Sequence, residues 1–229
     1  IIVFVQLIGV NWYCYLPNVW EKSNSAFAKI LVGINTIVML DITNDPRDYP
    51  IPAFVVPLIW NLIIAILLIV TYVIFKNSGT FSKKYSIFIA IVLQVLFYIG
   101  FLPSFTTLGT ILRFIPEKNG LVIFLFILYV IVIAFDIIVI IIQTRLINFC
   151  SNPTISFLTT FDGHHLSNLL VFSGITIILT NMATVFDDWF YVVSIILHVV
   201  FNSYQLFKLF EFPLVRLWTY TIFSAFYCA

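Results

Sequence analysis

Residues 121–144 read LVIFLFILYVIVIAFDIIVIIIQT, two dozen positions with a single ionisable side chain, Asp136. At ~1.5 Å of rise per residue the run covers about 36 Å, enough to cross a hydrocarbon core of ~30 Å, and nothing in it favours water over lipid. It reads as a membrane helix, closed on one side by Arg145 and on the other by Gly120 behind Ile115-Pro116-Glu117-Lys118. Its polar residues, Tyr129, Asp136 and Gln143, recur every seven positions, so they share one narrow stripe that must face other helices.

The rest of the chain has the same character. It is 62% hydrophobic and 9% charged, with a mean hydropathy of +1.12, against roughly 25% charged residues in soluble domains. Several runs of spanning length, with no intervening stretch long enough for a water-soluble domain, predict one all-α, polytopic transmembrane helical bundle over residues 1–229. Eleven Lys and Arg scattered among ten acids form no basic face, which excludes a nucleic-acid partner and leaves the lipid bilayer as the expected one. Cys14, Cys150 and Cys228 are far apart and lack metal-ligand spacing, so neither a disulfide framework nor a metal site is expected. The chain begins Ile-Ile-Val-Phe and ends Phe-Tyr-Cys-Ala, both inside apolar runs, and is expected to be a fragment of a longer protein.

Taken in order, residues 1–10 followed by Trp12, Tyr13 and Tyr15 read as a truncated span running into an interfacial aromatic belt. Residues 26–42 carry Lys29, Gly33, Asn35 and Thr36 along one edge and are too short to hide them, which predicts an interfacial helix. Residues 51–75 form the first complete span, with Pro50, Pro52 and Pro57 in its opening turns and Trp60 near head-group depth. Residues 85–102 form the second. Gly100 with Pro103 should kink or end it, because 85–112 as one straight helix would measure about 42 Å, and the remainder should turn along the interface or re-enter. The central span follows. Residues 167–185 and 190–210 form a hairpin around Phe186-Asp187-Asp188-Trp189, giving about five complete spans. Residues 212–229 read as a span cut short or a further interfacial helix. Lys76, Lys83, Lys84, Arg145, Lys208 and Arg216 fall on one side of this arrangement, which the positive-inside bias assigns to the cytoplasm.

An acid near the bilayer centre costs roughly 2.5–3.5 kcal/mol on insertion scales. Asp136 must therefore be paired, hydrated or neutral; it is either an ion or proton site or a protonated group bonded to a neighbouring helix. On 190–210, Tyr191, Ser194, His198, Asn202 and Gln205 recur at spacings of three and four beyond Asp187, opposite Ser173, Thr176 and Thr180 on the preceding helix. These residues either fix interhelical packing or line a ligand or ion path. The intramembrane polar set is thus Asp136, His198, Gln143, Ser194, Asn202 and Gln94. Asp136 and His198 both fall near the midplane and are expected to face one interior, with Gln94 or Asn61 able to bridge them. Asp162-Gly163-His164-His165 could ligate a metal only with Asp187 and Asp188, at the far end of one span, and Asp162 reads better as part of a helix N-terminus. No nucleophile elbow, phosphate loop or HExxH motif occurs, so neither an enzyme nor a cofactor is expected.

Phe101-Leu102-Pro103 followed by Leu108 and Leu112, among Phe- and Ile-rich helices and Pro-terminated segments, resembles the multi-pass amino-terminal regions of large protist membrane proteins that carry PAS or nucleotide-cyclase domains further on. The resemblance covers about the first two thirds of the chain and implies a non-enzymatic membrane anchor or sensor region, with a soluble signalling domain elsewhere on the same chain. It transfers no functional residue. A transporter or channel for an ion or small molecule, using the faces around Asp136 and His198, is the alternative; it would need an internal repeat or broken helices, and only the Gly100–Pro103 break fits.

Overall fold

The computed structural model describes residues 6, 25–38, 50–117, 120–142, 164–183 and 189–211. Within them the regular structure is helical throughout: α1 (Ala26–Val38), α2 (Pro50–Ser78), α3 (Lys83–Ile91), a π-helical turn (Val92–Leu96), α4 (Phe97–Phe114), a 3-10 turn (Ile115–Glu117), α5 (Gly120–Ile142), α6 (His164–Ala183) and α7 (Trp189–Glu211). Contacts divide the chain into two compact units, Ile1–Ile133 and Ala134–Ala229, with the boundary inside α5.

Three stretches among the described residues are long and apolar enough to cross a membrane: Phe54–Ser78, Gly120–Ile142 and Trp189–Lys208. The regular structure of the described residues is thus all-helical and fit for an integral membrane setting, and the expected five complete spans exceed what length and composition establish. Of the other two, the expected span 85–102 is divided by the π-helical turn, and α6 is apolar over Asn168–Ala183 among the described residues. The N-terminal run, the 143–163 segment and residues 212–229 lie outside the described residues, apart from Gln6.

In the first unit, α2 runs to Ser78 and ends at Gly79, whose φ of 68° is the left-handed conformation that terminates a helix most cheaply in glycine. The Gly79 N–H still bonds back to the Phe75 carbonyl at 2.8 Å. Ser82 then starts α3, its hydroxyl accepting from the Tyr85 N–H at 3.3 Å. Phe75, Phe81, Tyr85 and Phe88 form a run of tilted rings around this corner, 5.4–6.3 Å between successive centroids, and the Thr71 and Tyr85 hydroxyls bond at 2.9 Å.

The core of this unit is α4. Phe97, Phe101, Leu102, Phe105 and Ile111 are almost fully enclosed, with rings of Phe97, Phe101 and Phe105 stepping along the helix at 6.0 and 5.0 Å. Of the expected kink or end at Gly100–Pro103, the end is corrected here: α4 passes through both residues, and a departure from α geometry comes earlier, at Val92–Leu96. Proline tolerates that position because other side chains take over the backbone group it leaves bare. On α2, by contrast, Ile59, Leu62, Ile63, Ile66, Ile69, Val70 and Val73 are exposed, as a lipid-facing side requires. The 13 described residues of α1 extend about 20 Å and expose Phe27, Ile30, Ile34 and Ile37 along one side.

In the second unit, α6 and α7 pack as a helical hairpin. Phe172 stacks on Phe201, with centroids 3.7 Å apart and planes within 7°, and lies 5.5 Å from the His198 ring. The outer side of α7 is apolar, with Val192, Ile195, Val199, Val200, Phe207 and Phe210 exposed, and its polar side is turned inward.

Candidate functional site: two buried polar groups

The first polar group lies between α2 and α4 and follows from three backbone irregularities. Pro103 has no N–H to give to the Ile99 carbonyl four residues back. That carbonyl accepts instead from the Gln6 side-chain amide at 2.9 Å. Pro57 likewise has no N–H to give to the Ala53 carbonyl; one residue on, the Tyr129 hydroxyl of α5 donates to the Phe54 carbonyl and lies against the Leu58 N–H and the Thr107 side chain. At the π-helical turn the Leu96 carbonyl accepts from the Trp60 indole N–H at 2.9 Å. Trp60 can reach it because Gly100 lies beneath the indole. A Cβ at position 100 would sit 2.2 Å from Trp60 Cδ1 and 2.5 Å from Nε1.

Asn61 joins these features. Its side-chain amide donates to the Ser104 hydroxyl at 2.7 Å and to the Pro57 carbonyl at 3.1 Å, and Ser104 in turn donates to the Gly100 carbonyl at 3.1 Å. Thr107 closes the set by bonding the Pro103 carbonyl at 3.0 Å. Each of these groups is a short-range donor matched to a backbone or side-chain oxygen, and no acid or cation takes part. Chemically this is a latch between helices.

Further buried polar side chains lie on the hairpin and on the C-terminal half of α5. Asp136 is fully enclosed, at 0% exposure, as its place in a polar stripe required. Tyr129 of the same stripe is equally enclosed and belongs to the first group. Gln143 lies outside the described residues, as do Asp162, Asp187 and Asp188; Gln94 falls in the π-helical turn, its side chain outside the described set. On α7, Ser194 and Gln205 are buried, while His198 and Asn202 are half-buried. On α6, Ser173, Thr176 and Thr180 are buried as expected of a facing polar side. Thr180, however, turns its hydroxyl back to the Thr176 carbonyl at 2.7 Å, and Asn181 does the same to Ile177 at 2.8 Å.

Both N–H groups of the Asn61 amide are engaged with Pro57 and Ser104. Reading from sequence missed Gln6, Trp60, Ser104 and Thr107. Pro103 was the available signal for Gln6, because it guarantees a carbonyl in need of a donor; Trp60, Ser104 and Thr107 had no such signal. No three His, Cys, Asp or Glu side chains converge to hold a metal among the described residues. No family model matches the chain, and no curated protein and no solved structure is significantly similar to it.

Proposed function

We propose that this chain is a non-enzymatic, multi-pass membrane region, the anchor or sensor part of a larger signalling-type protein. One observation carries the reading: the buried amides and hydroxyls between α2 and α4 are occupied by backbone carbonyls or by one another. Polar groups used up in this way rigidify a bundle and leave little to bind a passing solute. Five crossings follow if the continuous rod 83–114, about 48 Å long at ~1.5 Å per residue, and α6 also traverse the bilayer. A rod of that length tilts or projects beyond the hydrocarbon.

Tags decide the crossing count. With five crossings, a tag at 79–82 is cytoplasmic, one at 118–119 lies on the opposite side, and one at 184–188 lies with it. Finding the 118–119 tag in the cytoplasm removes the rod from the list of spans. The functional reading is tested by the complete transcript: a PAS or nucleotide-cyclase segment on the same chain supports it, and a second bundle of the same kind counts against it.

The second reading, a transporter or channel for an ion or small molecule, is favoured by Asp136, an acid enclosed at 0% exposure within a candidate span. Such a group is costly to keep and is a functional candidate for that reason. Uptake by reconstituted vesicles that is lost in Asp136→Asn would favour this reading over the first.

A further inference from the structure

On α7, Tyr191, Ser194, His198, Asn202 and Gln205 lie within an arc of about 80° at ~100° per residue. Inside that arc Ser194 Oγ, Gln205 Oε1 and Gln205 Nε2 are buried without a hydrogen-bond partner among the described residues. Ser194 is 1% exposed and Gln205 0%. Buried polar side chains are nearly always bonded, because the water they gave up is otherwise not replaced. Gln205 stands out, since its amide has neither donor nor acceptor engaged. On the facing helix, near the Ser194 end, Thr180 and Asn181 bond to carbonyls of α6 itself.

We propose that this face of α7 is a water-binding line, interrupted by the Phe172–Phe201 stack. Water fits the chemistry better than an ion does. Gln205 needs a partner that both donates and accepts, and from Tyr191 to Gln205 the arc carries no Asp, Glu, Lys or Arg. Length argues the same way: Ser194 and Gln205 are eleven residues and about 16 Å apart along the axis, too far for one small solute, whereas hydrogen-bonded waters repeat every ~2.8 Å. Between the two ends the stacked rings of Phe172 and Phe201 lie next to His198. An apolar constriction of this kind closes a hydrated path by excluding water from a short segment. Water on this face is compatible with an anchor or a transporter and rests on neither reading.

The experiment uses the full chain in membranes with Cys14, Cys150 and Cys228 replaced by serine. Single cysteines replace Ser194 and Gln205, with Ile195→Cys and Tyr204→Cys as neighbours at matching depth on the exposed side. A membrane-impermeant methanethiosulfonate reacts with thiolate, which forms in water and not in hydrocarbon, so S194C and Q205C should label about tenfold faster than I195C and Y204C. Adding Phe172→Ala should raise both rates. Labelling no faster than at the neighbours overturns the proposal. A second variant covers a failure of the cysteine proteins to fold: Gln205→Met keeps the shape and removes the amide. A hydrated amide predicts an unchanged or lowered Tm for Q205M, whereas a raised Tm, the result of removing a stranded amide from a dry contact, overturns it.

Discussion

Gly100→Ala tests the packing between α2 and α4 directly, because two opposed effects can be weighed from the structure. Inside an exposed helix the change would stabilise by about 1 kcal/mol through helix propensity. Here the added Cβ would meet Trp60 Cδ1 at 2.2 Å and Nε1 at 2.5 Å, far inside contact distance and against a rigid indole. Overpacking of this kind costs roughly 1–3 kcal/mol. Moving the indole away also breaks its bond to the Leu96 carbonyl, a further loss of about 1 kcal/mol. The net expectation is a destabilisation of about 1–3 kcal/mol, read as a lowered midpoint in a reversible denaturant titration of the purified protein in detergent micelles. Trp60→Ala in the same background should remove most of the additional penalty, since the two residues share one contact and their effects cannot add. A Gly100→Ala protein as stable as the parent, or more so, would mean that the indole does not lie over Gly100, and the account of the π-helical turn as a Trp60 docking point would fail with it.

Gln6→Leu should destabilise by about 1–3 kcal/mol by stripping the Ile99 carbonyl of its donor; in a Pro103→Ala background, where a backbone N–H returns to that carbonyl, the same change should cost clearly less, and equal costs in both backgrounds would refute the link. Tyr129→Phe should cost about 1–2 kcal/mol through the lost bond to the Phe54 carbonyl, measured by the same titration, and a neutral result would place the hydroxyl elsewhere. At Asp136, burial predicts that Asn is tolerated and Ala costs roughly 1–3 kcal/mol more, since Ala removes an enclosed polar group together with its interactions and opens a void; equal stabilities of the two variants would refute this.

What could be read from the amino acids divides along physical lines. Long apolar runs announce membrane helices because the thickness of the hydrocarbon sets a length, and 121–144 was legible for that reason, as were the inward stripes of Asp136 and Ser194. Side chains that serve another helix's carbonyl carry no such period. Gln6 is one polar residue in an apolar run, and nothing along the chain connects it with Ile99, 93 positions away. Gly100 and Pro103 misled for a related reason: in isolation both weaken a helix, but here the first makes room for Trp60 and the second has its bare carbonyl capped. The π-helical turn was illegible, because a run such as Val92–Leu96 has the same apolar composition in either helix type.

The π-helical turn also fixes the phase of everything beyond it. A π turn holds one residue more than the α-helical turn it replaces, so the face that α4 presents to α2 is offset from the face that α3 would have continued. Deleting one residue between Val92 and Leu96 would allow an unbroken α ladder, and by local criteria a better one. It would also swing the rod's far half about 100° around its axis. Gly100 and Ser104 would turn away from Trp60 and Asn61, and bulky neighbours would take their place. The number of residues in this short apolar stretch is therefore as specific as the identity of any side chain in the latch, and single-residue deletions along 92–96 should be far less tolerated than substitutions among Val, Leu and Ile at the same positions.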